Sequence, residues 1–251
     1  MKTIEKSYSF VFKNVLRAVN PLKKKVMTTE CEVHQFINNQ ALHILRSDGF
    51  EEEYALFSNY IEDINSGGIW ADQDFKSSNH FYNPYNCKGL YGNSNAMREC
   101  ILYYTKALNS YFKGNIKNSM FYLGAVNHLI QDMTVPQHVN LKLLDNHRKY
   151  ELWVIEEYTK HDIFKSYNDG IYLDTIKEFI DFNSKSAIKT YERHENEPNS
   201  CKKFYNITCV QLVIAQKTTA GIMKKFHKDI LKIKRDIINR DNIINKIGTK
   251  L

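Results

Sequence analysis

Three histidines and two carboxylates share the stretch from Asn127 to Glu151, NHLIQDMTVPQHVNLKLLDNHRKYE. His128 and Asp132 stand four positions apart, and so do His147 and Glu151. On a helix that spacing sets both side chains on one face, with Cβ atoms about 5–6 Å apart. Imidazole nitrogen and carboxylate oxygen are both ligands for a divalent ion of zinc's size, so each pair can offer one of each. Pro136, between the pairs, predicts the end of the first helix near Thr134 or Val135 and a turn beyond it. His138 follows that turn, where a loop can return it to the same centre. One such pair alone is ordinarily a surface contact contributing about 0.2–0.5 kcal/mol. Two pairs flanking a turn, with a histidine between them, predict a metal cage. The spacing is not HExxH, so the helix chemistry of the common metalloproteases is not expected.

The longer run Phe121 to His138, FYLGAVNHLIQDMTVPQH, resembles the central motif of the bacterial zinc-dependent phospholipases C, roughly FYLG-x3-H-x3-D-x3-P-x-H. That family shares its fold with zinc-dependent single-strand nucleases of fungi and plants. The following pair, His147-Arg-Lys-Tyr-Glu151, is HxxxE after a short gap, as in the phospholipase branch; the nucleases typically carry HxxxD after a longer one. The resemblance implies an all-α, single-domain multi-helix bundle with a buried multi-zinc centre. It implies further ligands as well. GIWAD and HFYNP are similar to the family's GIYAAD and HFYDP, which makes Asp72 and His80 ligand positions. The gap between them is shorter here, so Asp74 is a rival to Asp72. HQFINNQALHIL is similar to the family helix that carries an early histidine ligand, matched here by His34, and AQKTTAGIMKKF to a late helix, so the likeness runs from about His34 to Phe226.

By resemblance, Asp72, His80, His128 and Asp132 hold one zinc and His138, His147 and Glu151 a second, while Asp132 bridges to a third on His34. In the family an N-terminal tryptophan completes that third ion; Pro21 to Lys24 contains no Trp, so two or three zinc ions are expected. Cys31, three residues before His34, is a substitute ligand as a thiolate, the alternative being an ordinary buried cysteine. Such a centre hydrolyses phosphodiesters with a metal-activated water. Asp72 doubles as the base, no covalent intermediate is expected, and Gln131, Asn140 and Tyr150 are the residues expected to orient the rings. The family's choline-contacting positions read Gln73, Ser77 and Lys24 here, so a cation–π pocket for a quaternary ammonium is not preserved. The expected substrate is a phospholipid or another phosphodiester. Two alternatives stand beside it. A single-strand nuclease of the same fold would need stacking aromatics beside a basic groove, and the HxxxE pair argues against it. The other is a cytoplasmic relative using the metal site for different chemistry.

The elements that must position these residues are mostly helices. Only 4 Pro and 10 Gly against 43% hydrophobic residues, with amphipathic runs of helix length, predict a mainly helical fold. No linker divides the 251 residues, so residues 1–251 read as one domain, with an N-terminal extension or helix over 1–28 and a basic helix over 229–251. Ser66 to Gly92, rich in Gly, Asn, Ser and aromatics, reads as a long structured loop. Asn93 to Phe112 reads as a helix ended by Lys113-Gly114-Asn115. Two more helical runs lie within 152–194, where His161 and His194 stand outside any ligand spacing. The tail LKIKRDIINRDNIINKIGTKL is expected to pack as a terminal helix, the alternative being peripheral contact with an anionic membrane. A net charge of +7 suits an anionic partner, although it is spread along the chain. Nucleic acid is the weaker such partner, and nothing in the pattern fixes an oligomeric state.

Five cysteines, Cys31, Cys87, Cys100, Cys201 and Cys209, make an odd count without a CxxC pair. They predict thiols in a reducing compartment rather than a disulfide framework. The apolar run Tyr8 to Val19 is interrupted by Lys13 and Arg17 and lacks a small-residue cleavage site. It reads as an amphipathic helix rather than a secretory signal. The expected location is therefore the cytoplasm, with export, general in the family, as the alternative. No apolar run approaches the roughly 18 residues of a membrane span.

Overall fold

A computed structural model of the chain describes residues 20–73, 79–90, 94–140 and 146–248, with side chains from residue 31 to residue 239 of those stretches. The expected helix Tyr8 to Val19 and the residues Asp74 and Ser77 lie outside the described residues, as does the side chain of Lys24. The fold is all-α. In chain order the helices are α1 (Asn20–Ser47), α2 (Glu51–Ser58), α3 (Ile61–Asp72), α4 (Ala96–Phe112), α5 (Ile116–Asp132), α6 (Pro136–Val139), α7 (His147–Glu157), α8 (Ile176–His194) and α9 (Ser200–Gly248). Among the described residues the only β-type pairing is one isolated bridge, Asn83 with Lys88.

Local chemistry fixes several helix ends. Asn95 and Asn115 cap α4 and α5 by accepting from the amides of Arg98 and Asn118 at 3.0 and 3.1 Å. Gly114, at φ +79, makes the left-handed turn between those two helices, a conformation that carries no Cβ penalty at glycine. Thr175 and Glu178 form a reciprocal capping box on α8.

α5 is the central helix, and every residue from Leu123 to Asp132 is buried. Leu123, Val126, Leu129 and Ile130 join the main core with Phe57 and Ile64, and with Phe179, Met223 and Phe226 of α8 and α9. Asn127, His128, Gln131 and Asp132 are equally buried, which carries a desolvation cost unless each is hydrogen-bonded or otherwise paired.

α3 lies against α5 at backbone distance. A Cβ on Gly67 would stand 1.7 Å from the Phe121 carbonyl oxygen, and a Cβ on Gly124 would stand 1.8 Å from that of Ile64. This approach corrects the expectation of a loop starting at Ser66. Residues 66–72 are the last turns of α3, because glycines that disfavour a helix in isolation are what let this one seat on α5. Helix α5 also ends earlier than expected, at Asp132, with the Thr134 and Val135 amides bonded back to the Gln131 and Asp132 carbonyls at 2.9 and 3.0 Å. Pro136 opens α6, where its missing N–H costs nothing, so His138 sits in a short helix rather than a loop.

The basic tail is not a separate helix but the end of α9, which is 49 residues long. Among the side chains described, burial along it stops at Ile230, and Leu231, Ile237 and Ile238 are exposed, while Lys234 Nζ donates to the Tyr111 hydroxyl of α4 at 3.0 Å. Among the described residues no helix is long and apolar enough to cross a membrane.

Candidate metal centre

Five helices and one extended segment deliver the ligand-type side chains. His34 comes from α1, Asp72 from the last residue of α3, His128 and Asp132 from successive turns of α5, His138 from α6, and His147 and Glu151 from the first turns of α7. Asn146, in the left-handed conformation at φ 56, turns the chain so that α7 begins on His147. His80 arrives on an extended segment stitched to α6. The Tyr82 amide donates to the His138 carbonyl at 3.2 Å, and the Asn83 side chain donates to the Val139 carbonyl at 3.2 Å. Phe81 stacks on the His138 ring at 4.7 Å, which holds the imidazole plane.

Asp132 is the hub. Its Oδ1 lies 3.7 Å from His34 Nε2, while its Oδ2 lies 2.8 Å from His80 Nδ1, 3.2 Å from His128 Nε2 and 3.6 Å from His138 Nδ1. Asp72 Oδ1 is 4.0 Å from His128 Nε2. A second knot joins His147 Nε2 to Glu151 Oε1 at 2.7 Å and to His138 Nε2 at 2.9 Å. Three groups of ligand atoms therefore converge, each within 4.8 Å: His34, His128 and Asp132; Asp72, His80 and His128; His138, His147 and Glu151. All eight positions singled out in the sequence are brought together.

The hydrogen-bond inventory fits metal ligation rather than a paired polar cluster. His80 Nε2 donates to the Ala71 carbonyl at 3.1 Å, so in the neutral ring Nδ1 carries a lone pair. That lone pair faces a carboxylate oxygen 2.8 Å away. Asp132 Oδ2 makes no hydrogen bond despite three nitrogens around it, and of those nitrogens the buried His138 Nδ1 has no partner either. Acceptors aimed at one another in a dry interior repel unless a cation lies between them. Imidazole and carboxylate donors in these numbers suit zinc.

Electrostatics agree with a centre poised for a cation. Burial and the neighbouring His128 pull His34 down to about 4, and burial likewise lowers His128, so both rings are held as neutral ligands. Burial would raise the Asp132 carboxyl, but His128 and His138 outweigh it and hold that group well below the usual carboxylate range. Burial opposes the change at Glu151 too, yet bonds from His138 and His147 bring it to about 2. Asp72 differs: burial raises it. The side chains of Glu151, Asp72 and His34 are 32%, 21% and 20% exposed against 2% for His128, so solvent reaches the centre at those three residues.

Cys31 is buried in α1 one turn before His34, yet it belongs to none of the three converging groups. Of the residues expected to orient the rings, Gln131 does so, through its side-chain oxygen 2.7 Å from His34 Nδ1. The Tyr150 hydroxyl meets Thr208 instead, at 3.2 Å. The Ala71 carbonyl and Phe81 went unnoticed in the sequence: a main-chain oxygen carries no residue-type signal, and no spacing links Phe81 to His138.

An all-helical bundle whose central helix carries a shared carboxylate among histidines from its neighbours defines a metal-binding helical protein. Residues 33–197 match the model of the zinc dependent phospholipase C family, and the chain belongs to that family. A phospholipase C of Paraclostridium bifermentans is 25% identical over 236 residues, covering 78% of this chain and 58% of the relative. A phospholipase C of Clostridium perfringens is 24% identical over 244 residues, covering 83% and 61%. The chain thus spans about 60% of the length of these relatives. The solved structure of the alpha toxin from Clostridium absonum shares the fold, with a TM-score of 0.69 at 21% identity over 79% of this chain and 63% of that one.

Proposed function

We propose that the chain is a zinc-dependent phosphodiester hydrolase of the phospholipase C type, acting on a phospholipid or a related phosphodiester. The observation that carries this is the close packing of three ligand groups, with Asp132 Oδ2 lying 2.8 Å from His80 Nδ1 and making no hydrogen bond. Asp72, His80, His128 and Asp132 make one four-ligand position. His138, His147 and Glu151 make a three-ligand position that leaves room for substrate or water. His34 and Asp132 supply a poorer third, so two ions are held firmly and a third more weakly. Zinc bound there supplies a Lewis acid for the phosphoryl oxygens and brings a water toward a pKa of about 7.

The chain's own residues do the rest. The Ala71 carbonyl fixes His80 with Nδ1 inward. Phe81 holds the plane of His138. Asp72, raised by burial and partly exposed at the mouth, takes the proton from the attacking water. Gln73, half-buried beside it, offers no ring for a quaternary ammonium, which points away from choline headgroups. The free thiols Cys87 and Cys201 are exposed, which favours a reducing location.

The test is a zinc count on purified protein. It is followed by release of phosphorylated headgroup from mixed phospholipid vesicles and of nucleotides from single-stranded DNA. Zinc with headgroup release supports the proposal. Nucleotide release alone would move the chain to the nuclease chemistry, and absence of zinc would overturn the centre itself.

A further inference from the structure

We infer that the Thr219 hydroxyl, acting through the Gln131 amide, decides which ring nitrogen of His34 faces Asp132. Five buried polar side chains, Asn38, Asn65, Asn127, Gln131 and Thr219, form a connected network behind the metal centre. Gln131 Nε2 donates to Asn38 Oδ1 at 3.0 Å and to Thr219 Oγ1 at 3.1 Å. Asn38 Oδ1 also accepts from Asn127 Nδ2 at 3.1 Å, and Asn38 Nδ2 donates to Asn65 Oδ1 at 2.9 Å. A chain of amides of this kind is nearly symmetric, because rotating every amide by half a turn exchanges donors for acceptors without moving the chain.

One contact breaks the symmetry. Thr219 Oγ1 donates to the Ala215 carbonyl at 2.7 Å, and a main-chain carbonyl can only accept. The single hydroxyl proton is thereby spent, so toward Gln131 the hydroxyl can only accept. It must meet the Gln131 NH2, which turns Oε1 toward His34. Oε1, 2.7 Å from His34 Nδ1, requires the proton on Nδ1. Nε2 is left with its lone pair, and Nε2 is the atom that faces Asp132 Oδ1. Among the described residues no other group of fixed polarity bonds these amides, and the acceptor-only Asp132 Oδ1 stands 3.7 Å from His34 Nε2, beyond hydrogen-bond distance, so the tautomer of His34 is set by a hydroxyl on α9.

Thr219 and Gln131 are thus positioning residues. Their bearing on zinc rests on the proposed function, while the tautomer does not. The test is 15N NMR of histidine-labelled protein, zinc-free and zinc-loaded, for wild type, Thr219→Val, Thr219→Ser and Gln131→Leu. Wild type and Thr219→Ser should show His34 protonated at Nδ1 alone. Thr219→Val, close in volume but without the hydroxyl, should show a mixture of tautomers, with zinc at the His34 position loosened roughly 10–100-fold by chelator competition. Gln131→Leu removes the acceptor outright and should give the same result, which keeps the test available if Thr219→Val does not fold. A wild-type His34 protonated at Nε2, or a Thr219→Val protein with the wild-type tautomer, would overturn the inference. A correct tautomer in a protein that binds no zinc would leave the inference standing and sink the proposed function instead.

Discussion

Adjacent glycines on α3 should respond in opposite directions to the same substitution. A Cβ on Gly67 meets the Phe121 carbonyl at 1.7 Å, whereas one on Gly68 finds its nearest neighbours, the Gly124 carbonyl and the His128 Cβ, at 3.7 and 3.9 Å. In Gly67→Ala the two helices must separate by roughly 1.3 Å to reach even the closest contact that carbon tolerates, about 3.0 Å. The obstacle is main chain, so no rotamer relieves it, and overpacking of this kind costs about 3 kcal/mol or more. Helix propensity returns about 1 kcal/mol. The net loss of about 2 kcal/mol corresponds to a fall in Tm of about 4–8 °C for a chain of this size. Gly68→Ala meets only ordinary contacts and keeps the propensity gain, a rise of about 2–4 °C. Asp72 ends α3 while His128 rides on α5, so Gly67→Ala should also weaken zinc at the position they share; Gly68→Ala should not. Thermal melts with and without EDTA, with zinc affinity by chelator competition, read both effects. Equal shifts in the two variants, or a Gly67→Ala protein with wild-type melting and zinc affinity, would refute the claim that backbone approach of α3 builds the site.

Four further outcomes are expected. His128→Ala and Glu151→Ala should each lose bound zinc by elemental analysis and melt lower than wild type in zinc by an amount that largely disappears in EDTA; a zinc excess of 100-fold over Kd corresponds to about 2.7 kcal/mol. Asp48 accepts from the amides of Asp169 and Gly170 and from the Tyr172 hydroxyl, and although burial works the other way these bonds lower its carboxyl below 3.8. Its contribution is therefore full above pH 3.8 and lost as pH falls further, so urea melts should show Asp48→Asn about 1 kcal/mol less stable at neutral pH, with the difference closing in acid. Thr175→Ala, which breaks the capping box on α8, should cost about 1 kcal/mol in the same melts. Cys87 and Cys201 should react with an aromatic disulfide reagent in the native protein, and buried Cys100 only after unfolding.

What could be read without coordinates was whatever the helical repeat writes into spacing. His128 with Asp132 and His147 with Glu151 are neighbours because four positions make a turn, and the resemblance carried His34, Asp72 and His80 to the same place. Contacts set by tertiary approach were not legible. Gly67 looked like a loop residue because propensity describes an isolated chain, whereas here its missing side chain admits the Phe121 carbonyl. Pro136 marked the turn but not that it opens α6 and carries His138 on a helix. The period of the tail revealed a helix but not that it continues α9 without a break, since periodicity does not say where a helix begins. Thr219 gave no sign of its role, because its effect passes through an amide whose orientation only a main-chain carbonyl determines.

One carboxylate facing four histidines has a further consequence. With Oδ1 turned to His34 and Oδ2 to His80, His128 and His138, Asp132 cannot serve one ion without altering the field felt by the others. Under the proposed zinc assignment, occupancy at the three positions is interdependent. Emptying the weakly held third position should then change the affinity of the other two, so stepwise chelator titration should give constants that do not fit independent sites.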